Sequence, residues 1–158
     1  MANRLKIGVD FHGVITANPH FFSAFTQEAV SRGWEIHVIT GGPGSVICKM
    51  LDDWKISYTT VFAILDFYAA LDKVAYKKNN EFHIDDKLWN SAKALYCKEH
   101  GIDIHIDDST IYKKWFSTPY CLYDAFDNRC RLDNGTEMDF SAGAVAALDE
   151  IGRMAKRA

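Results

Sequence analysis

Three aspartates stand at positions where carboxylates can hold a metal ion and attack a phosphate. Asp10 directly follows a short apolar run, and Asp107 and Asp108 together follow another. Carboxylates gathered in a partly dry site repel one another, so such a group needs either a raised pKa or a hard cation. With no lysine or arginine directly beside them in the chain, the three favour Mg²⁺, which takes oxygen ligands and keeps positions open for water and phosphate. One carboxylate would then attack a phosphoryl group that the ion neutralises.

A third apolar run ends in Thr40-Gly41-Gly42, which adds a hydroxyl and backbone donors. The Thr40 hydroxyl and the N–H groups of the two glycines would bind the non-bridging oxygens of a phosphate. A lysine at the same place would stabilise the remaining negative charge. Each of these short segments alone is also compatible with an ordinary turn or helix cap. Whether these segments form a functional site therefore depends on where the fold places them.

Apolar strands and amphipathic helices alternate along the chain. Strands are predicted at 5–11, 34–39, 58–65, 102–106 and 120–123. Helices are predicted between Pro19 and Gly33, from Ser45 to Trp54, from Asp85 or Asp86 to Gly101, from Ser109 to Phe116, and from about Ser141 to Lys156. This order predicts a three-layer, Rossmann-like α/β fold, in which helices cover both faces of a parallel sheet.

The predicted sheet brings the polar residues to one place. Ligands of parallel sheets bind beyond the carboxyl ends of the strands. Asp10, Thr40 and the Asp107-Asp108 pair each follow a predicted strand directly, so they should meet at that edge. The convergence of three segments that lie far apart in sequence is what favours a functional site over three unrelated caps.

The whole chain, 1–158, is predicted to form one domain with room for a small insertion at about 66–86. A short helix starting near Phe67 and an exposed turn at 77–80 are expected within that insertion. Asn134-Gly135 predicts a further turn, followed by the closing helix. These segments carry no repeat and no Pro/Gly-rich linker.

Composition excludes several function classes. Hydrophobic residues make up 48%, charged residues 25%, and the net charge is −3, so nothing indicates a nucleic-acid or membrane partner. The first apolar run is too short for a signal sequence or a membrane span. The cysteines show no ligand-like spacing and are expected to be reduced, buried thiols, which predicts a cytoplasmic location; they are Cys48, Cys97, Cys121 and Cys130.

Three segments resemble the motifs of the haloacid dehalogenase superfamily. The segment Val9-Asp10-Phe11-His12-Gly13-Val14-Ile15 is similar to the first motif, usually written D-x-D-G-[VT]. The segment 39–41 resembles the second motif, and 104–109 resembles the fourth. With a lysine for the third motif, the four span about positions 7 to 109. The resemblance implies the family's α/β core, magnesium, and hydrolysis of phosphate esters.

The resemblance assigns a role to each matching residue. Asp10 stands where the family has its nucleophile, which forms an aspartyl-phosphate and also binds the metal. Thr40, with Gly41 after it, matches the phosphate-binding position. Asp108 matches the metal-binding aspartate, and Asp107 is either a further ligand or an acceptor behind the ligands.

The third motif is a lysine that opens the helix before the fourth motif. Lys93 lies 107 − 93 = 14 residues before the acidic pair, which is about one helix and one strand. Lys87 lies on the same predicted helix and is the alternative. Lys93 is the preferred candidate for a catalytic and phosphate-binding residue.

His12 departs from the family pattern. The family usually has a second aspartate here, whose backbone carbonyl reaches the metal and whose side chain is the general acid/base. Any residue supplies a carbonyl, so metal binding tolerates the change, whereas imidazole has to take over the proton transfer. The leading hypothesis is a magnesium-dependent phosphatase, and the alternative is a catalytically impaired module that binds magnesium and phosphate. The remaining histidines are interpreted as structural or exposed; they are His20, His37, His83, His100 and His105.

The expected partner is a small phosphorylated substrate, and nucleotides are one class that an open site without a large cap implies. Only one helix and one strand fit between Gly13 and Thr40, so no large cap is inserted there. Tyr68, Tyr76 and Phe82 of the insertion are candidates for the rim of the site. A signalling receiver domain is the rival magnesium-binding fold, but there the acidic pair follows the first strand, and here it comes late.

Overall fold

The computed structural model describes residues 4–76 and 81–157. Two 3₁₀ turns, Lys113–Trp115 and Phe140–Ala142, and a tight loop, Phe11–Ile15, connect the regular elements. The helices and strands in chain order are β1 (Lys6–Asp10), α1 (Pro19–Ser31), β2 (Glu35–Thr40), α2 (Gly44–Asp53), β3 (Thr60–Ala63), α3 (Ile64–Ala70), β4 (Ala75–Tyr76), β5 (Phe82–His83), α4 (Asp86–Glu99), β6 (Ile104–Asp107), β7 (Tyr120–Asp124), β8 (Arg129–Arg131), β9 (Glu137–Asp139) and α5 (Ala144–Arg157).

The main sheet has seven strands in the order β3-β2-β1-β6-β7-β8-β9. The first five strands in this order pair in parallel, so their carboxyl ends share one edge of the sheet; they are β3, β2, β1, β6 and β7. Strands β8 and β9 add to β7 in antiparallel orientation. The register sets Asp10 opposite Ile39 and Val9 opposite Ile106, which puts the ends of β1, β2 and β6 side by side.

Helices cover both faces of this sheet. On one face, apolar residues of α1, α2 and α5 pack on strand residues such as Val9 and Ile106, forming the largest core cluster. On the other face, α3 and α4 pack on β2 and β3, where Ile39 contacts Tyr96 and Cys97. Because strand side chains alternate, Asp10 and Asp107 point to the α4 face.

This is the three-layer, Rossmann-like α/β fold that the sequence predicts. The predicted five strands all form, and α1, α2, α4 and α5 begin within a few residues of their expected positions. The prediction of a helix at 109–116 is wrong, because only the 3₁₀ turn Lys113–Trp115 forms there. Residues 64 and 65 belong to α3 and not to the third strand, because β3 ends at Ala63 where its pairing with Thr40 ends.

The 66–86 segment contains the end of α3 and the two-stranded β4–β5 ribbon. The turn expected at 77–80 lies outside the described residues. Ser45 does not cap α2, which starts at Gly44. The carboxylate of Asp66 accepts the Gly44 N–H instead, with both oxygens 3.2 Å from the nitrogen.

One expectation about the cysteines is wrong. Cys121 and Cys130 form a disulfide between β7 and β8, with Cα atoms 5.4 Å apart, whereas Cys48 and Cys97 are free. The pairing arises because both side chains point inward from adjacent antiparallel strands. Among the described helices, none combines the length and the apolarity that a membrane span requires.

Candidate active site

The ends of β1 and β6 bring three aspartates together at the carboxyl edge of the sheet. One side-chain oxygen from each of Asp10, Asp107 and Asp108 lies within 4.8 Å of the other two. Asp10 and Asp107 are buried, whereas Asp108 is exposed. Two neighbouring central strands thus deliver all three carboxylates to one point.

Lys93 joins two of these carboxylates from α4. Its Nζ atom lies 2.9 Å from Asp10 Oδ1 and 2.9 Å from Asp107 Oδ2. The residue is only 4% exposed, and the ring of Tyr112 lies 4.9 Å from the ammonium. Burial disfavours the charged ammonium, but the two carboxylates outweigh that effect and hold the pKa of Lys93 above its usual range. The lysine is therefore charged inside the site.

The structure separates the two lysine candidates. Lys87 is exposed in the first turn of α4. Lys93 lies six residues further on, which rotates it by about 240° around the helix and onto the face that covers the sheet. Only Lys93 of this pair contacts the aspartates.

Only one carboxylate oxygen of Asp10 accepts hydrogen bonds from the described residues. Its Oδ1 accepts hydrogen bonds from the Phe11 N–H at 2.9 Å and from Lys93 at 2.9 Å. No group of the described residues donates to its Oδ2. Burial and the neighbouring carboxylates raise the pKa of Asp10 to about 8, even though Lys93 acts in the opposite direction.

Asp107 is held at both oxygens. Its Oδ1 accepts from the Ser109 N–H at 3.1 Å, and its Oδ2 accepts from Lys93 and from His105 Nε2, each at 2.9 Å. Burial alone would raise the pKa of Asp107, but His105 and Lys93 outweigh it and hold the pKa below its usual range. With its oxygens engaged, Asp107 is better placed to orient the site than to bind an ion directly.

Asp108 lies over a glycine whose backbone conformation other residues rarely adopt. Gly13 adopts φ +82°, and a Cβ at this position would collide with the carboxylate of Asp108. The Gly13 N–H donates to Thr16 Oγ1 at 2.9 Å, which fixes the loop. The glycine in the first motif is thus needed both for its backbone conformation and for the space that it leaves.

His12 lies apart from the carboxylates. Its backbone is extended at φ −72° and ψ 127°, its side chain is exposed, and the ring meets the edge of Phe11 at 5.0 Å. The ring nitrogens are not part of the group formed by the three aspartates. A contribution of His12 to a metal site would therefore come from its backbone carbonyl, as the resemblance implies.

Thr40 is buried at the end of β2, beside the register partner of Asp10. Its Oγ1 accepts a long hydrogen bond of 3.4 Å from the Gly42 N–H, so that donor is turned towards the chain itself. A Cβ at Gly41 would lie 3.0 Å from the ring of Trp89, which packs on this loop. The Thr40 hydroxyl keeps its own proton for another acceptor.

The sequence predicts a structural or exposed His105, and the structure places this residue directly behind the site. It is fully buried, donates from Nε2 to Asp107, and stacks on Phe116 at 5.1 Å. Its Nδ1 atom has no partner among the described residues, which fits the neutral tautomer with its proton on Nε2. Burial lowers the pKa of His105 accordingly. The sequence signal was its position two residues before Asp107, on the same face of the strand.

The donor set fits a hard divalent cation. Asp10 Oδ2 and the exposed carboxylate of Asp108 accept no hydrogen bond from the described residues, so these two would supply the oxygen ligands that Mg²⁺ prefers, with Asp107 behind them. Ligands on opposite sides of a bound Mg²⁺ are about 4.2 Å apart, given metal–oxygen distances of about 2.1 Å. The three oxygens lie within 4.8 Å of one another, which is somewhat wider than that span, so the side chains would have to close slightly around a bound ion.

Comparisons with known proteins leave the family open. No protein-family model and no curated protein matches the chain. Among solved structures, a glycosyltransferase from Rickettsia africae ESF-5 matches with 14% sequence identity and a TM-score of 0.43. That alignment covers 75% of this chain and 29% of the other.

Proposed function

We propose that this chain is a magnesium-dependent phosphohydrolase of the haloacid dehalogenase type, which cleaves a phosphate monoester through an aspartyl-phosphate on Asp10. The observation that carries the proposal is the buried contact of Lys93 with both Asp10 and Asp107, beside the exposed carboxylate of Asp108. This arrangement holds one oxygen of Asp10 and leaves the other for attack.

In the proposed reaction, Asp10 Oδ2 attacks phosphorus, and the bond from phosphorus to the ester oxygen breaks as the new bond forms. Thr40 and the remaining N–H of Lys93 bind non-bridging oxygens. The leaving alkoxide takes a proton from His12 or from solvent. Water then attacks phosphorus, the bond from phosphorus to the Asp10 oxygen breaks, the water proton passes to His12 or to solvent, and phosphate leaves with the Asp10 carboxylate restored. When bound, Mg²⁺ supplies positive charge that keeps the carboxylates ionised and stabilises the transition state.

One observation favours the second candidate, a binding or regulatory module without turnover. The imidazole of His12 is exposed and lies outside the group of carboxylates, where the family usually has an acidic acid/base. Proton transfer would then be slow while binding of magnesium and phosphate persists.

Phosphate release from a panel of phosphomonoesters with Mg²⁺ tests the proposal, with Asp10→Asn as the control. We expect turnover in the natural protein and none in the variant, since an amide oxygen does not form the aspartyl-phosphate. Equal release by the two proteins would reject the enzyme. Equal and negligible release, together with Mg²⁺-dependent phosphate binding, would favour the binding module.

We also propose that the protein works in the cytoplasm; because disulfides are rare there, this proposal requires the Cys121–Cys130 pair to be reduced in the cell. Acid quenching of cells, followed by alkylation of thiols in denaturant and mass spectrometry, tests this location, because both side chains are buried in the folded protein. Labelling of Cys121 and Cys130 in the cell supports the cytoplasm, and protection of both indicates an oxidising compartment.

A further inference from the structure

A cleft of about 640 Å³ opens beside the three aspartates. Gly13 and Asp108 line one side of it, and the turn between β7 and β8 lines the other. We call this space the hairpin cleft. Its volume lies within the range of small-molecule sites, about 300–1,000 Å³.

The topology of the sheet explains why the cleft continues the candidate active site. β7 runs parallel to β6, so its last residue, Asp124, reaches the same edge as Asp107. β8 starts at Arg129, the register partner of Asp124, and therefore returns from that edge. Ligands of parallel sheets bind beyond this edge. A phosphate held at Asp10 would thus have its ester group next to the β7–β8 turn.

The turn presents one aromatic ring to the cleft. Phe126 is 96% exposed. Asp124 Oδ1 accepts from the Phe126 N–H at 2.9 Å and from the Asp127 N–H at 3.4 Å. At the other end of the turn, the Tyr123 hydroxyl donates to Asn128 Oδ1. These bonds hold the backbone from which the ring projects, so the turn offers an uncovered flat apolar surface beside the cleft.

The charges of the cleft select against a second anionic group. Asp108, Asp124, Asp127 and Glu137 face two arginines. One of these, Arg131, is engaged by Glu137 at 2.7 and 3.1 Å. Carboxylates are in excess, so the cleft accepts hydrogen-bond donors such as hydroxyl and amino groups and repels further phosphates.

We propose that the hairpin cleft binds the leaving group of the substrate and that the substrate is a nucleoside monophosphate. The base would lie on Phe126, and its amino groups or the sugar hydroxyls would donate to Asp124 and Asp127. This inference rests on the proposed function, because the reacting phosphate has to lie at Asp10. The excess of carboxylates makes the monophosphate a better substrate than the diphosphate.

Hydrolysis of adenosine 5′-monophosphate relative to acetyl phosphate tests the ring. We expect Phe126→Ala to lower the ratio of the two kcat/KM values about tenfold, because stacking on an aromatic ring contributes about that much per base. Phe126→Leu should lower it as well, and Phe126→Tyr should retain it, since only a flat ring stacks. Leu71→Ala, at an exposed position after α3, is the control and should not change the ratio. An unchanged ratio in Phe126→Ala overturns the inference while the phosphohydrolase stands.

The charge is tested with Asp127→Asn. Removing one carboxylate should raise kcat/KM for adenosine 5′-diphosphate relative to the monophosphate about threefold, as expected for an exposed like-charge contact. The opposite change, or none, would contradict the electrostatic part of the inference.

A binding measurement separates failure of the cleft from failure of the chemistry. In the Asp10→Asn background, titration with adenosine 5′-monophosphate and Mg²⁺ needs no turnover. We expect Phe126→Ala to weaken binding about tenfold there too. If no ester is hydrolysed, the proposed function fails, and this titration alone decides: weaker binding supports the cleft, and equal or absent binding overturns it.

Discussion

Two buried histidines flank the same residue of the central strand. His37 on β2 and His105 on β6 are both register partners of Gly8 on β1, and both point to the face that α4 covers. Each has a carboxylate two residues away on its own strand. For His37 this is Glu35, which precedes it, and for His105 it is Asp107, which follows it.

That difference in direction decides what each histidine does. His37 contacts Glu35 at 3.0 Å, towards the amino end of its strand, and Tyr96 at 2.7 Å, so both ring nitrogens have partners. His105 contacts Asp107 at 2.9 Å, towards the carboxyl end where ligands bind, and its other nitrogen has none among the described residues. One histidine therefore stabilises the fold, and the other holds a carboxylate of the candidate site.

The largest expected effect comes from the lysine that extends the His105–Asp107 contact to Asp10. Lys93→Met leaves two buried carboxylates without their cation, so we expect phosphatase activity to fall about a thousandfold, comparable to losing a transition-state donor. Lys87→Met is the matched control from the exposed side of the same helix. Activity assays on both variants check this, and similar values for the two would contradict the role of Lys93.

Gly8→Ala tests how the two histidines pack around the strand residue between them. The new methyl group would lie 2.7 Å from His105 Nδ1 and 2.9 Å from Ile39 Cδ1, so we expect a loss of about 2 kcal/mol in the free energy of unfolding. Adding His105→Ala should recover part of this loss. Adding His37→Ala should not, because no His37 atom is among the nearest neighbours of that methyl group. Urea unfolding of the double variants distinguishes the two histidines.

His105→Phe keeps a stacked ring and removes the donor to Asp107. We expect Mg²⁺ affinity and kcat/KM to fall about tenfold, the lower end of the effect for groups that orient metal ligands. His37→Phe should leave both unchanged and lower stability by about 1 kcal/mol, because the Tyr96 hydroxyl loses its partner. Calorimetric titration with Mg²⁺ checks the prediction, and equal affinities in the two variants would show that direction along the strand does not matter.

The smallest expected effect is a pH dependence of stability, which arises from Asp10 and not from either histidine. Burial lowers the pKa of both histidines, whereas the pKa of Asp10 is raised to about 8. Asp10 in the folded protein without metal therefore binds a proton more readily than in the unfolded chain, and that stabilisation is lost as the pH rises through about 8. Because Mg²⁺ competes with this proton, it should raise the Tm by roughly 3 °C more at about pH 8 than at about pH 6.

Thermal unfolding with and without Mg²⁺ measures this difference. It should disappear in Asp10→Asn and persist in His37→Gln. Persistence in Asp10→Asn would assign the titration to another group. The lowered pKa of Asp107 acts in the opposite sense, but its stabilisation is lost only as the pH falls well below this window.

The parts of the site that follow apolar runs could be predicted from sequence. Asp10, Thr40 and Asp107 each end a buried strand, and the spacing of Lys93 from the acidic pair matched one helix and one strand. The sequence around His105 carried the same information, because a residue two positions before Asp107 must share its face. That inference requires the exact start and end of the strand, which the sequence pattern predicts only approximately.

The hairpin beyond β7 could not be predicted in the same way. Strands β8 and β9 have three residues each, and only the middle one of each, Cys130 and Met138, is buried. Two charged residues around one apolar residue are equally typical of an exposed loop, so pairing with β7 decides the structure. The helix predicted at 109–116 is wrong for the converse reason: its apolar residues fit a helix, but Asp107 Oδ1 and Ser109 Oγ accept the N–H groups of Ser109 and Ile111, and the chain is bent there.

Strand β9 also determines how the sheet ends. An edge strand exposes backbone N–H and C=O groups that can pair with another molecule, and long flat edges promote aggregation. β9 is short, and its two outward residues, Glu137 and Asp139, are acidic. Charged side chains at an edge oppose edge-to-edge pairing because a second copy would have to bury them, and within the chain they pair with Arg129 and Arg131. The strand that closes the wall of the hairpin cleft thus also protects the molecule against polymerisation along its sheet.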